Sequence, residues 1–330
     1  MSQKNFRQLH DALLSYEGGS AYADVLLPWL HESPEEQTWL RSFGQREGEP
    51  IPAATVEELW SLYALSRVCE VLILTFQDGG FDSSWKGPAI SISEFTAFIE
   101  ALGLTVLKPA AYCEFYHEVL SVEPHESPDA HILAYKWPCV MLGNLLVLRG
   151  GVAVAANPAL LRPGIADNST LYWSSRRKAR PHQDLSNDWG HNSQWRTAFR
   201  RDYVIGADQY FNVDGKCDLA STEWQQTDCC EMEVSLTREE RIELLTNRCF
   251  VRSAKPHADL WPYHDRIRIA GGTGQKKPAG PNALKIALGA GGLWGVLSLT
   301  WLLCGGGRWR QPGPGLPTSW RRFPARVRRR

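Results

Sequence analysis

The pattern of apolar and polar positions divides the chain into a helical first part and a strand-rich middle. Phe6, Leu9, Leu13 and Tyr16 recur at three- and four-residue intervals, the period of one helix face, before Gly18-Gly19 stop the pattern. Ser33-Pro34-Glu35-Glu36 reads as a capping box with Pro at the first helical position, and Gly44 ends that helix. Thr55-Val56-Glu57-Glu58 is a second capping box, leading into Leu59, Leu62 and Tyr63 on one face. Ser93 is expected to cap a third helix carrying Phe95, Phe98, Ile99 and Leu102, with Gly103 as its stop. Thr237-Arg238-Glu239-Glu240 is a fourth box, opening a helix through Ile242, Leu244 and Leu245.

In the middle of the chain the period shortens. Leu145 to Arg149 and Val152 to Ala155 flank Gly150-Gly151, which predicts a hairpin with a two-residue turn. Arg149 argues against reading 139–156 as a membrane span. Leu171-Tyr172-Trp173 reads as a further strand. Gln194 to Val204 and Asp208 to Val213 read as an antiparallel pair, with Asp214-Gly215 closing the second strand. Helices gathered early and strands gathered later predict an α+β fold with a mainly antiparallel sheet region. The organisation expected is a helical region over 1–108, a β-rich region over 109–270 that is separate or joined to the first, and a tail over 271–330.

Charge sharpens this division. The 330 residues carry no net charge, yet 1–130 hold seven Lys and Arg against twenty Asp and Glu, a net of −13. Residues 131–270 hold 18 against 16, and 271–330 hold 11 against none. An acidic body repels nucleic acid and membrane phosphates and attracts a basic partner, or simply keeps the protein soluble. Eight cysteines form no C-x-x-C pair, and no apolar leader follows Met1, so reduced thiols in the cytoplasm are expected.

The tail is chemically foreign to the body. Residues 286–304 are uncharged and long enough to cross a bilayer, with three lysines before them and eight arginines after. The positive-inside rule would place the body across the membrane, against the cytoplasmic reading. Three readings stay open: a tail anchor, an out-of-frame extension, and a basic arm for nucleic acid.

Candidate chemistry concentrates in 176–202. His182, Asp184, Asp188 and His191 are types that serve a divalent metal or general acid–base work, the pattern of a metal-dependent hydrolase or nuclease. Arg176, Arg177, Trp189, Trp195, Arg196 and Arg200 are the types that anchor a tight protein interface. The plain alternative is an ordered loop whose arginines pair with carboxylates elsewhere. No defined catalytic or metal motif is present, so no cofactor and no metal are expected. His117, beside Glu114 and Glu118, sits among acids that would raise an imidazole pKa.

Three stretches act as a set: Trp137-Pro138 with Met141-Leu142-Gly143, the run Ser169 to Trp173 and on to Arg177, and Asp184-Leu185-Ser186 with Asp202-Tyr203. The set resembles a group of uncharacterised bacterial proteins of secreted-toxin gene clusters, a setting in which immunity proteins are common. The resemblance covers about residues 90–268, excludes the tail and implies no catalytic residues. Together with the acidic first part, it leads to the expectation of a cytoplasmic protein-binding module of the immunity type, neutralising a basic toxin by occlusion. The alternatives are the hydrolase above and a membrane-tethered structural protein.

Overall fold

The computed structural model describes residues 6–79, 85–184, 198–222, 236–253 and 264–271, all of them within the unit Met1–Ala279. The expected span at 286–304 lies outside the described residues. The fold is α+β: helices lead, and mainly antiparallel sheets follow.

Five helices come first: α1 (Phe6–Leu14), α2 (Leu27–Glu32), α3 (Pro34–Gly44), α4 (Val56–Leu72) and α5 (Ile92–Ala101). α4 opens on the expected box, with the Thr55 side chain accepting from Glu58 N–H and the Glu58 carboxylate accepting from Thr55 N–H. α5 is capped by Ser91 with Glu94, two residues earlier than the expected Ser93. Its end is a Schellman motif: Gly103 N–H donates to Glu100 O and Leu104 N–H to Ile99 O, with Gly103 at φ +85°. The box expected at Ser33 is not made. Ser33 follows α2 directly and sits at ψ 51°, whereas the working caps Thr55 and Ser91 have ψ near 160°, and its hydroxyl is buried without a partner.

The strands are β1 (Thr105–Leu107), β2 (His117–Pro124), β3 (His131–Trp137), β4 (Cys139–Leu142), β5 (Leu145–Leu148), β6 (Gly150–Ala156), β7 (Leu171–Tyr172), β8 (His182–Gln183), β9 (Tyr203–Ile205), β10 (Asp208–Phe211), β11 (Cys217–Asp218) and β12 (Asp265–Ile269), with α6 (Arg238–Asn247) before the last. A large sheet has the order β1-β4-β5-β9-β10-β12-β11, and a second has β2-β6-β3. A parallel pair, β7-β8, stands apart.

β4 and β5 are buried along their whole length because the large sheet is covered on both faces. Val140, Leu142, Leu145 and Val147 join Phe6, Leu9, Leu65, Val68, Phe95 and Phe98 of the helices in one core. Cys139, Met141 and Leu146 join Phe115, Phe211 and Leu245 in another. The helical part and the β-rich part therefore share a core. α4 and the short 3-10 turn after it, Val56–Phe76, are long and apolar enough to cross a membrane, and this segment is mostly buried in the body.

The hairpin expected at Gly150-Gly151 is not there. β5 belongs to the large sheet and β6 to the second, so the chain changes sheets at Arg149. The two glycines serve close packing. A Cβ on Gly151 would meet the Trp137 ring at 2.5 Å, and one on Gly150 would meet the Cys139 nitrogen at 2.9 Å. The two-residue turn lies at Gly143-Asn144, between β4 and β5, with Gly143 at φ +58°. The β9–β10 pairing is antiparallel as expected; residues 194–197 of that reading lie outside the described residues.

Candidate functional site

α4 is apolar nearly all round, as a helix inside a core must be, yet it buries Arg67 and Glu70 one turn apart. Arg67 Nη1 donates to Glu70, and Arg67 Nη2 donates to Asp184 Oδ1 at 3.0 Å. Tyr63 supplies the second bond to Asp184, its hydroxyl donating to Oδ2 at 2.9 Å, and its ring lies 4.6 Å below the Arg67 guanidinium. Arg177 forms a fork on Glu118 of β2, with Nε and Nη2 each 2.9 Å from a carboxylate oxygen, and stands 3.3 Å from Glu70. Burial alone would push the Glu118 carboxyl up. Arg177, aided by Arg180 and Arg149, holds it below its ordinary value instead.

Facing these pairs is a second group built around the end of α6. Arg200 Nε donates to Asp202 Oδ1 at 2.9 Å, and Arg248 Nη2 donates to Asp202 Oδ2 at 3.0 Å. Arg200 Nη2 and Arg149 Nη2 reach the carbonyls of Leu245 and Thr246 in the last turn of α6, where cations complement unpaired carbonyls. Arg200 and Arg248 thus share one carboxylate, with the Arg149 guanidinium beside them on the helix end. Burial and the neighbouring cation Arg248 push Arg149 down to about 10. Burial, relieved in part by Asp202, pushes Arg200 down to about 9, so both stay charged at neutral pH. Arg180 has a different role: its guanidinium donates to the carbonyls of Ser169, Val119 and Ala166 and ties the segment between β6 and β7 to β2.

Between the two groups lies a cavity of about 40 Å³, lined by Arg67, Glu70, Glu118, Arg149, Arg177, Asp184, Arg200 and Arg248, with Trp173, Leu171, Val147 and Phe199 as its apolar wall. Two of the lining residues are held in the left-handed region, Trp173 at φ 52° and Arg248 at φ 59°. That conformation costs a non-glycine residue roughly 1–2 kcal/mol and is retained where the surroundings impose it. The Arg200 guanidinium stacks 4.3 Å over the Trp173 ring.

His117 is buried nearby, and its environment reverses the sequence-based expectation. Tyr135 donates its hydroxyl proton to Pro109 O, so it accepts from His117 Nε2 at 2.6 Å; Nδ1 then accepts from Cys113 N–H at 3.0 Å. Both ring nitrogens are used by the neutral form. Burial lowers the pKa from 6.5 to about 4, and Glu118, the acid expected to raise it, is occupied by Arg177.

The residues singled out in 176–202 divide between interior and exterior. Arg176 is exposed, as a partner contact requires, whereas Arg177 and Arg200 are buried on carboxylates and are not on the surface. His182 is exposed, its Nδ1 accepting from Arg177 N–H at 3.2 Å, and burial followed by Arg177 lowers its pKa. Asp184 lies on Arg67 and Tyr63, and among the described residues no group of three or more His, Cys, Asp or Glu is placed to hold a metal. Asp188, Trp189, His191, Trp195 and Arg196 lie outside the described residues. The sequence reading missed Arg67, Glu70, Arg149 and Arg248. The first two carry a legible signal, two opposite charges inside an otherwise apolar helix.

Acidity outside the centre is a surface property. Asp11, Glu32, Glu35, Glu57 and Glu100 of the helical part and Asp129 before β3 are all exposed. Comparison of the chain with protein-family models, with curated proteins and with solved structures finds no match.

Proposed function

We propose that this chain is a protein-binding module of the immunity type, which neutralises a basic toxin by occluding it. The observation that carries the reading is the separation of its charges. The interior carboxylates Glu70, Glu118, Asp184 and Asp202 are each paired with an arginine, while the excess acid of the helical part faces water. A surface of that sign raises the encounter rate with a basic protein and disfavours nucleic acid. Among the described residues of the Arg/Trp set, Arg176, 6.0 Å from the Trp85 ring, is the one that is exposed. In this reading the protein works in the cytoplasm, where its target is made. No observation among the described residues favours the metal-dependent hydrolase, since Asp184 is engaged by Arg67 and Tyr63.

The test is a pull-down from native lysate with the full chain, followed by association kinetics with the captured protein. A single stoichiometric partner of high pI is expected, with an on-rate that falls roughly tenfold or more as salt rises from low to high ionic strength. A salt-independent on-rate would remove the acidic surface from the account. An acidic partner, or none, would overturn the reading.

A further inference from the structure

We infer that the cavity beside Trp173 is a binding site for one small oxyanion of the phosphate type, held by Arg149, Arg200 and Arg248. The inference goes beyond the binding-module reading and does not depend on it.

The first support is charge. Arg200 and Arg248 share the single carboxylate of Asp202, and Arg149 beside them rests on the C-terminus of α6, which contributes roughly half a negative charge. Around these three arginines the local excess is more than one positive charge, in an interior where an unpaired charge is strongly unfavourable. On the opposite wall Glu70, Glu118 and Asp184 outnumber Arg67 and Arg177 by one, so over the whole lining roughly half a positive charge remains.

The second support is hydrogen-bond supply. Arg149 is 4% exposed, Arg200 7% and Arg248 8%. Within these residues Arg149 Nε and Nη1, Arg200 Nη1 and Arg248 Nε are buried with no acceptor. All are obligate donors, so they cannot satisfy one another. The missing component is a small group rich in acceptor atoms and negatively charged, which describes an oxyanion better than it describes water. A fork of guanidinium groups is the side-chain arrangement that matches such a ligand.

The third support is size. A cavity of about 40 Å³ has room for about three water molecules, or for one compact oxyanion. Leu171, Val147 and Phe199 form the apolar part of the lining, and Ser66 and Ser174 also lie on it. The carboxylates of the far wall suit an anion that keeps a proton to donate, as hydrogen phosphate does at neutral pH.

The experiment is a titration of the full chain with inorganic phosphate, and in a parallel arm with O-phosphoserine, against chloride at matched ionic strength. Binding is read by calorimetry and by the thermal midpoint. Expected is one saturable site for inorganic phosphate and a rise in Tm of a few degrees that chloride does not reproduce. Arg149→Met is the informative variant because Arg149 pairs with no carboxylate, so removing its charge orphans none. It should fold and should weaken phosphate binding at least tenfold. Saturable binding of phosphoserine as well would identify the ligand as a phosphomonoester group; binding of inorganic phosphate alone would identify the free ion. A midpoint that follows ionic strength alone, with no heat of binding in either arm, would overturn the proposal without recourse to the variant.

Discussion

Arg46 and Arg177 each pair with a glutamate, in two regions that treat charge in opposite ways. Arg46 meets Glu58 at the rim of the helical part, with the arginine side chain 36% exposed. Arg177 meets Glu118 in the centre, with both side chains 3% exposed. In the helical part the apolar faces of α1, α3, α4 and α5 make the core, and the charges are left in water, where they serve solubility and long-range attraction. In the centre the charges are the packing material, and their partners are set by which loops the fold brings together. The difference teaches that the same residue pair is dispensable in one place and structural in the other, because removing one member of a buried pair leaves the other without solvent or partner.

The sharpest way to break this comparison is to remove one arginine from each region. Arg177→Met should cost about 3–5 kcal/mol, since it strands Glu118 and leaves Glu70 with a single arginine. Arg46→Ala should cost about 1 kcal/mol or less, and less still at high salt. Urea unfolding of both variants gives the two numbers on one scale, and equal losses would mean that the centre is solvated.

A second measurement uses pH. His117 is neutral in the folded protein down to about pH 4, whereas in the unfolded chain it takes a proton near 6.5. Below 6.5 the unfolded state therefore binds the extra proton. Stability should fall as pH drops from 6.5 to about 4, by roughly 3 kcal/mol, and this contribution should level off below that. Glu118 and Asp202, whose carboxyls are held below the ordinary range by their arginines, add a further loss at lower pH. His117→Gln should flatten the upper part of the profile while leaving the lower part. A His117→Gln profile that superimposes on the original would exclude this histidine as the cause.

The smallest effect separates two caps of similar sequence. Thr55→Ala removes a working box and should cost about 1 kcal/mol in thermal unfolding. Ser33→Ala removes a hydroxyl that caps nothing and should leave stability unchanged or slightly improved. A clear loss at Ser33 would show that its hydroxyl finds a partner in solution.

Much of the helical part was legible in the sequence because its signals are local. The box at Thr55, the stop at Gly103 and the box at Thr237 each depend on four or five consecutive residues, and each is formed where the spacing placed it. Ser33 and Ser93 show the limit of the same reasoning. The letters at Ser33 suit a cap, but the preceding helix denies it the extended backbone a cap needs, and Ser91 holds the position that Ser93 was expected to take. Gly150-Gly151 shows a deeper limit. Two glycines between apolar runs suggest a turn, yet here Gly151 makes room for the Trp137 ring and Gly150 for the backbone at Cys139, residues more than ten positions away.

The sequence by itself determined the order of helices and strands, the α+β class, the acidity of the helical surface and the concentration of charged residues near 176–202. Each follows from periodicity, capping chemistry or composition, which neighbouring residues carry between them. Only the tertiary structure decided that Arg177 and Arg200 point inward, that Glu70 of α4 meets Arg177 while Arg67 meets Asp184, and that three arginines gather at the end of α6. Apart from Arg200 with Asp202, those contacts join residues separated by tens to more than a hundred positions. Their energies depend on burial and on the partner's distance, and neither quantity exists until the chain is folded.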